Sequence, residues 1–471
     1  MVFSGQVNYQ HTTHSTKLKN IRTFGTAEIN ILPIVKPLTK YCEIIKNPND
    51  VRYILEKAYH NAINGRPGPV WLDVPLNVQE KEIDIKKLKK FIPEKSSRKK
   101  INKSISRKIT KVISLLKKSK KPLIVAGNGV KLSATSELLF KIINYLKIPV
   151  IMSRFAQDMY SHDEKLVLGQ AGIKGTRYCK KIMKSSDLVI ALGCRLAPQF
   201  VGHNFEIFNN SYLISVDIEE DELKKKGCKI NLPIHEDLKI FLPEFYKLIK
   251  KNKFNDYSKW NSNCFDLKNK NPMINNSHIQ NPIDLYYFMH KIGELSNKEN
   301  ILVTDAGSNY YIGGQVWKFN NGQKELTSGS NAAMGLTIPL SIGAAVAKPK
   351  YQILAITGDG SLELNIQELK TISQYNLNIK LFVINNGGYV TMHNWLDTIF
   401  EGRRVDNSKD TGEGTLNLKS VADAFDLEYY KITDYKSIDK DLKIVMSNNK
   451  PLFVEVLTDN KQKIYDSFRD Y

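Results

Sequence analysis

GDGSLELNIQELKTISQYNLNIKLFVINNGG, residues 358–388, decides how this chain is read. It begins on the last residue of the apolar, β-branched run QILAITG and contains a second such run, IKLFVIN. Runs of this kind are the strands of a parallel sheet covered on both faces. Between them LELNIQELKTISQY predicts a helix with Leu362, Ile366, Leu369 and Ser373 on one stripe. Strand, helix and strand in that order predict a right-handed crossover between parallel neighbours, which brings both strand C-termini to one edge. Asp359 and Asn386 stand 27 positions apart in sequence, yet this topology lets them meet across that edge. Open α/β sheets bind their ligands there.

One carboxylate and one amide oxygen form a poor proton-transfer pair but a good pair of hard oxygen ligands. Mg²⁺ takes one or two such side chains and completes its shell with water and substrate phosphates. Gly358 and Gly360 let the backbone turn sharply and approach a ligand closely, and the following helix points its N-terminus at the same spot, where an anion is favoured. The plainer alternative is a strand-to-helix loop capped by Ser361 and an unrelated Asn-Asn-Gly-Gly turn. Both devices at matching ends of one strand-helix-strand unit favour a metal-bound diphosphate.

The rest of the 471 residues supplies a frame for this site. Apolar residues make up 42% and charged residues 25%, an ordinary globular balance. No apolar run approaches the roughly 20 residues that cross a bilayer, and the N-terminus lacks the layout of a signal peptide, so a cytoplasmic protein without membrane contact is expected. The five cysteines are dispersed, with no C-x-x-C pair, as expected of reduced structural thiols. A net charge of +21 raises the alternative of nucleic acid, but the lysines are scattered among asparagines. The densest stretch, 86–108, reads as a solvated linker and helix start, and no nucleic-acid partner is expected.

Three α/β segments emerge. In RYILEKAYHNAINGRPGPVWLDVP, Ile54, Ala58 and Ala62 share a helical face, Gly65 stops the helix, and PVWLDVP is a buried strand. The chain opens at VFSGQVN, which reads as the end of a strand, so the first domain is expected to be incomplete. KPLIVAGNGV, SELLFKIINYLKIPVIMS, SSDLVIALGCRL and SYLISVDIEEDEL alternate strand and helix as a Rossmann-type sheet does. Residues 241–280 read as one helix and a long polar connection. The expected organisation is three doubly wound parallel-sheet, Rossmann-like domains at 1–90, 105–245 and 280–471.

Gly-Asp-Gly-Ser, a helix and then Asn-Asn at this spacing resembles the motif of the thiamine-diphosphate enzymes that act on 2-oxo acids, most closely the acetolactate-synthase-like carboligases. NGRPGPVWLDVPLNVQ resembles the end of their pyrimidine-binding domain, PLIVAGNGV to VDIEEDEL their central domain, and TSGSNAAMGLTIPLSIGAAVA the segment that holds the cofactor's middle. The resemblance covers essentially the whole chain. It implies that Asp359, Asn386 and the backbone carbonyl of Gly388 ligate Mg²⁺. Gly307, Ser308 and Asn309 would touch the diphosphate from one strand end, and Gly360 and Ser361 from the next. It further implies that Met334 bends the thiamine diphosphate, in place of plain core packing. The Ala332 carbonyl would receive the aminopyrimidine's amino proton, and Trp395 would shape the acceptor pocket, with an ordinary half-buried aromatic as its rival.

The implied activity is decarboxylation of a 2-oxo acid, pyruvate by analogy, with transfer of the two-carbon unit to a carbonyl acceptor, in a homodimer or homotetramer. Arg403 and Arg404 would suit an anionic acceptor or simply be solvated. The family's activating glutamate comes from an earlier part of the first domain, and no residue here can take that role. Glu28 aligns with a later part, and Ala27 stands where the family has Gln. A truncated or catalytically silent relative that binds cofactor without turnover is the alternative. Acetolactate synthases also carry FAD in their central domain, whereas related enzymes do not. The stretches 127–129, 169–176 and 193–202 and Asp217 lie where that flavin would run, and both alternatives stay open.

Overall fold

A computed structural model describes residues 1–16, 18, 20–93, 103–405, 412 and 414–468. Part of the basic linker, 94–102, and part of the loop after Trp395, 406–411 and 413, lie outside the described residues. The chain divides into two compact units, Met1–Arg107 and Lys108–Tyr471. Among the described residues it forms three parallel sheets, the first of three strands and the others of six.

In the first unit, β1 (Val2–Gln6), β2 (Tyr41–Ile44) and β3 (Val70–Pro75) pair in the order β1-β3-β2. The helix Val51–Ile63 buries Ile54 and Ala58 against Val70 and Leu72 of β3, with Ala62 partly covered, as its periodicity predicts. It ends at Asn64, and Gly65 then takes φ +63°, which glycine adopts without strain. Asp73, buried on the central strand, accepts hydrogen bonds from Ser4 Oγ at 2.7 Å and Gln6 Nε2 at 3.2 Å. The Glu28 carboxylate accepts from the Thr13 hydroxyl at 2.7 Å and the Phe24 N–H at 2.7 Å, so it serves its own loop.

In the second unit, β4 (Pro122–Ala126), β5 (Val150–Met152), β6 (Val167–Gln170), β7 (Leu188–Leu192), β8 (Tyr212–Asp217) and β9 (Leu232–His235) form a sheet in the order β6-β5-β4-β7-β8-β9. Chain order reverses direction between β4 and β7, as in a dinucleotide-binding fold. Residues after β9 hold two helices, Leu238–Ile249 and Ser258–Lys270, where sequence reading expects one. The second hides its signal because it is mostly polar, and only Trp260, Asn261 and Cys264 are buried. All five cysteines are free, and burial pushes the Cys179 and Cys264 thiols up to about 12, which leaves them unreactive.

The remaining strands are β10 (Asn300–Thr304), β11 (Lys324–Thr327), β12 (Gln352–Gly358), β13 (Ile379–Asn385), β14 (Glu428–Ile432) and β15 (Leu452–Leu457). Their order is β11-β10-β12-β13-β15-β14, with the reversal between β10 and β12. Alternate residues feed two cores. Leu354, Ile356, Phe382 and Ile384 pack on one face, and Ile353, Ala355, Leu381 and Val383 on the other. Each large side chain so buried contributes about 1.5–3 kcal/mol, which fixes the register and with it the edge residues.

The crossover from β12 to β13 departs from the single helix expected. A helical turn at Asp359–Leu362 passes into a 3₁₀ run, Glu363–Glu368, broken at Asn365 (φ −140°, ψ 36°), and α-helix resumes at Leu369–Gln374. Leu362, Leu369 and Ile372 are the buried residues, so the break shifts the stripe off Ser373. Its cause is a tertiary contact: the Asn365 Nδ2 turns away to donate to the Gly335 carbonyl at 2.9 Å.

Candidate active site

β12 and β13 pair with Gly358 opposite Ile384, so Asp359 and Asn386 leave adjacent strands at the same edge. Asp359 Oδ2 accepts the N–H groups of Asn386 (3.2 Å), Gly387 (3.0 Å) and Gly388 (3.2 Å), and its Oδ1 accepts that of Gly360 at 3.0 Å. The Asn-Asn-Gly-Gly turn is thereby wrapped around one carboxylate. Gly387 at φ +72° and Gly388 at φ +126° make that wrapping possible. Burial raises the Asp359 pKa above the ordinary carboxylate value, and the four N–H groups pull against it.

Asn386 is 7% exposed, and its Oδ1 has no hydrogen-bond partner among the described residues. An acceptor left alone in a buried place costs about 1–3 kcal/mol, which a bound cation would recover. The Gly388 carbonyl accepts the Val390 N–H at 3.0 Å and keeps its second lone pair. A buried carboxylate, an orphaned amide oxygen and a half-used carbonyl suit Mg²⁺. No group of three or more His, Cys, Asp or Glu side chains gathers to hold a metal among the described residues.

Across the chain reversal, β10 runs into Asp305 and Ala306 and then the helix Gly307–Val316. Gly307 takes φ +79°, and Ser308 and Asn309 are buried at this helix start. Asn309 Nδ2 donates to the Ile356 carbonyl of β12 at 2.7 Å, tying the two strand ends together. A Cβ on Gly307 would lie 3.7 Å from Thr391 Oγ1, so the helix Val390–Ile399 also reaches this edge. Helix N-termini with free N–H groups favour an anion such as a diphosphate.

The segment after β11 completes the edge. Ala332 sits in the left-handed region at φ +49°, ψ 41°, a strain of about 1–3 kcal/mol. Met334 is half-buried and belongs to neither core of this sheet, so plain core packing does not account for it. Gly360 and Ser361 are buried in the turn after β12. Trp395 is 50% exposed on the helix Val390–Ile399, near Met392 and Ile399, which are exposed to a similar degree. Arg404 forms a two-nitrogen pair with Asp397, its Nη2 2.7 Å from Oδ2, and Arg403 Nε donates to the Phe400 carbonyl at 3.2 Å. Both arginines are therefore engaged locally.

Sequence reading passes over Asp305, although TDAGSNYY contains it. It is fully buried and touches three of these segments. A carboxylate closing an apolar strand and followed by Ala-Gly is the signal that could have found it. Asn365 is missed for a different reason, since a polar residue inside a helical pattern reads as solvated.

Two family models match this chain. The thiamine pyrophosphate enzyme central domain covers residues 109–245, and the C-terminal TPP binding domain covers 305–456. The chain is also 31% identical over 450 residues to a probable acetolactate synthase large subunit of Methanococcus aeolicus, spanning 92% of this chain and 74% of that protein. It is 28% identical over 440 residues to the acetolactate synthase large subunit of Lactococcus lactis subsp. lactis, with 93% and 74% covered. A third similar protein, the acetolactate synthase large subunit of Cyanidium caldarium, is 28% identical over 454 residues, with 94% and 76% covered.

Proposed function

The chain belongs to the thiamine-diphosphate-dependent enzymes of the acetolactate-synthase large-subunit family, and from that premise we propose that it decarboxylates a 2-oxo acid, pyruvate in the first instance, and passes the two-carbon unit to a carbonyl acceptor. The observation that carries this reading is the unpartnered Asn386 Oδ1 beside the loop wrapped on Asp359, at the chain reversal of the third sheet. When bound, thiamine diphosphate supplies the electron sink that 2-oxo acid decarboxylation needs.

The chain's own residues provide the holding and the dry surroundings. Asp359, Asn386 and the Gly388 carbonyl hold Mg²⁺. The start of the helix at Gly307, with Ser308 and Asn309, and the turn at Gly360 and Ser361 hold the diphosphate. The Ala332 carbonyl would accept a hydrogen bond from the aminopyrimidine's amino group, and Met334, outside both cores, would pack against the cofactor. Trp395 borders the acceptor, and the chain works as a homodimer or homotetramer. The activating acid is assigned to no residue of this chain.

FAD is not part of the proposal; along the three stretches of its expected path the chain makes close contacts with itself. A Cβ on Gly127 would meet the Gly193 carbonyl at 2.0 Å, and Gly129 N–H donates to that carbonyl at 3.0 Å. Ser467 N–H donates to the Ile173 carbonyl at 2.8 Å, and a Cβ on Gly202 would meet the Phe468 ring at 2.5 Å. The cavity left beside Asp217, lined also by Cys194, Ser215 and Glu222, is about 10 Å³, roughly the room one water needs.

The test is CO₂ release from pyruvate by the purified chain with thiamine diphosphate and Mg²⁺, with Asp359→Ala as control. Release that disappears in the variant supports the proposal. Cofactor binding without release favours a silent or incomplete enzyme, and neither binding nor release contradicts the reading.

A further inference from the structure

Asp305 ends the apolar strand β10 with no exposed surface. A carboxylate buried so completely needs donors on every side. Its Oδ1 accepts the Ala306 N–H at 2.7 Å, and its Oδ2 accepts the Ser361 hydroxyl at 2.6 Å and the Gly335 N–H at 3.0 Å. The Thr337 N–H and the Thr357 hydroxyl lie 3.5 Å from the same oxygen. Ser361 Oγ in turn accepts the Gly335 N–H at 2.8 Å. On its other side the Gly335 carbonyl accepts Asn365 Nδ2 at 2.9 Å. Gly335 stands at φ +80°, and a Cβ there would come within 2.7 Å of Leu364 Cβ.

We propose that Asp305 is the positioning residue of this site: its carboxylate clamps Gly335 and Ser361 together, and so sets Ala332 and Met334 against the turn that begins at Asp359. The kink at Asn365 closes the clamp from below. Among the described residues the donors to Asp305 are protein groups, so its assigned role is to act through Gly335 and Ser361. The Ser361 hydroxyl commits its single proton to Asp305 and serves as a strut. A bound diphosphate would then be left the main-chain N–H of Ser361 to contact. The naming of the ligand rests on the function proposed above, whereas the clamp does not.

The test compares the wild-type chain with Asp305→Asn, Asp305→Ala and Ser361→Ala in two measurements. The first is hydrogen exchange at the Gly335 amide without cofactor or metal. The second is calorimetric affinity for thiamine diphosphate with Mg²⁺. The Asp305→Asn side chain keeps the shape but presents an N–H to surrounding donors, so it is expected to behave like Asp305→Ala. Both should speed Gly335 exchange at least tenfold and weaken cofactor binding at least tenfold. Ser361→Ala should speed the exchange severalfold. Asp305→Asn matching wild type in both measurements would mean that shape alone matters, and overturns the proposal. If the Asp305 variants do not fold, unchanged Gly335 exchange in Ser361→Ala overturns it equally. Failure of the wild type to bind thiamine diphosphate sinks the proposed function, and the exchange measurement still decides the clamp.

Discussion

The second unit contains two six-stranded parallel sheets, each with one point where chain order reverses, and the turns at the two points pack differently. Between β4 and β7 the ends are sealed, with Gly127 and Gly129 pressed on Gly193, backbone against backbone. Between β10 and β12 the ends stay polar, with Asp305 and Asp359 buried and the Asn386 oxygen unpartnered near by. Topology alone offers a crevice at both places. What stands in it depends on whether the turn residues satisfy one another or leave an atom unsatisfied.

The largest effect expected from this contrast is on the sealed side. Gly127→Ala would place a methyl 2.0 Å from the Gly193 carbonyl, where only backbone could yield. It should cost roughly 3 kcal/mol or more and lower the melting temperature by about 10 °C, as measured by calorimetry. A variant as stable as the parent would show that the crevice can open.

A smaller effect belongs to the polar side. Burial raises the Asp359 pKa, and Mg²⁺ binds only the deprotonated carboxylate. Affinity for Mg²⁺ and thiamine diphosphate should fall about tenfold per pH unit once the pH drops below that raised value. The free protein should show the opposite sign. A raised pKa favours the folded state when protonated, so the contribution of Asp359 to stability is lost as pH rises through it. Binding that holds steady down to the ordinary carboxylate range would remove Asp359 from the metal site.

The smallest expected change is none. Added FAD should shift the melting temperature by less than about 1 °C if the close packing of Gly127 and Gly129 on Gly193 persists. A rise of several degrees, with flavin fluorescence quenched, would reopen the crevice at Gly193.

Much of this contrast is legible in the residues. The runs at β12 and β13 are mostly apolar, with Lys380 the buried exception, so both faces are expected to be covered, and the crossover rule then places Asp359 and Asn386 together. What could not be read were features created by tertiary contact. The break at Asn365 exists because Gly335, 30 residues earlier, needs a donor for its carbonyl. The polar helix Ser258–Lys270 has only a narrow buried stripe, too faint for periodicity to reveal. Asp305 carries no motif of its own, and its role appears only when Gly335 and Ser361 arrive beside it. Gly127-Asn128-Gly129 is ambiguous in the sequence, because a Gly-x-Gly turn serves close backbone packing as well as it serves a nucleotide.

The central claim is that Asp359 and Asn386 hold a metal that holds the diphosphate. Its most direct test is calorimetric titration of thiamine diphosphate into the wild-type chain and into Asn386→Ala, each with Mg²⁺ and again with EDTA. The account predicts tight binding only in the wild type with Mg²⁺, weakened on the order of a hundredfold by either change. Equal binding with and without the metal, or in the variant, would contradict it.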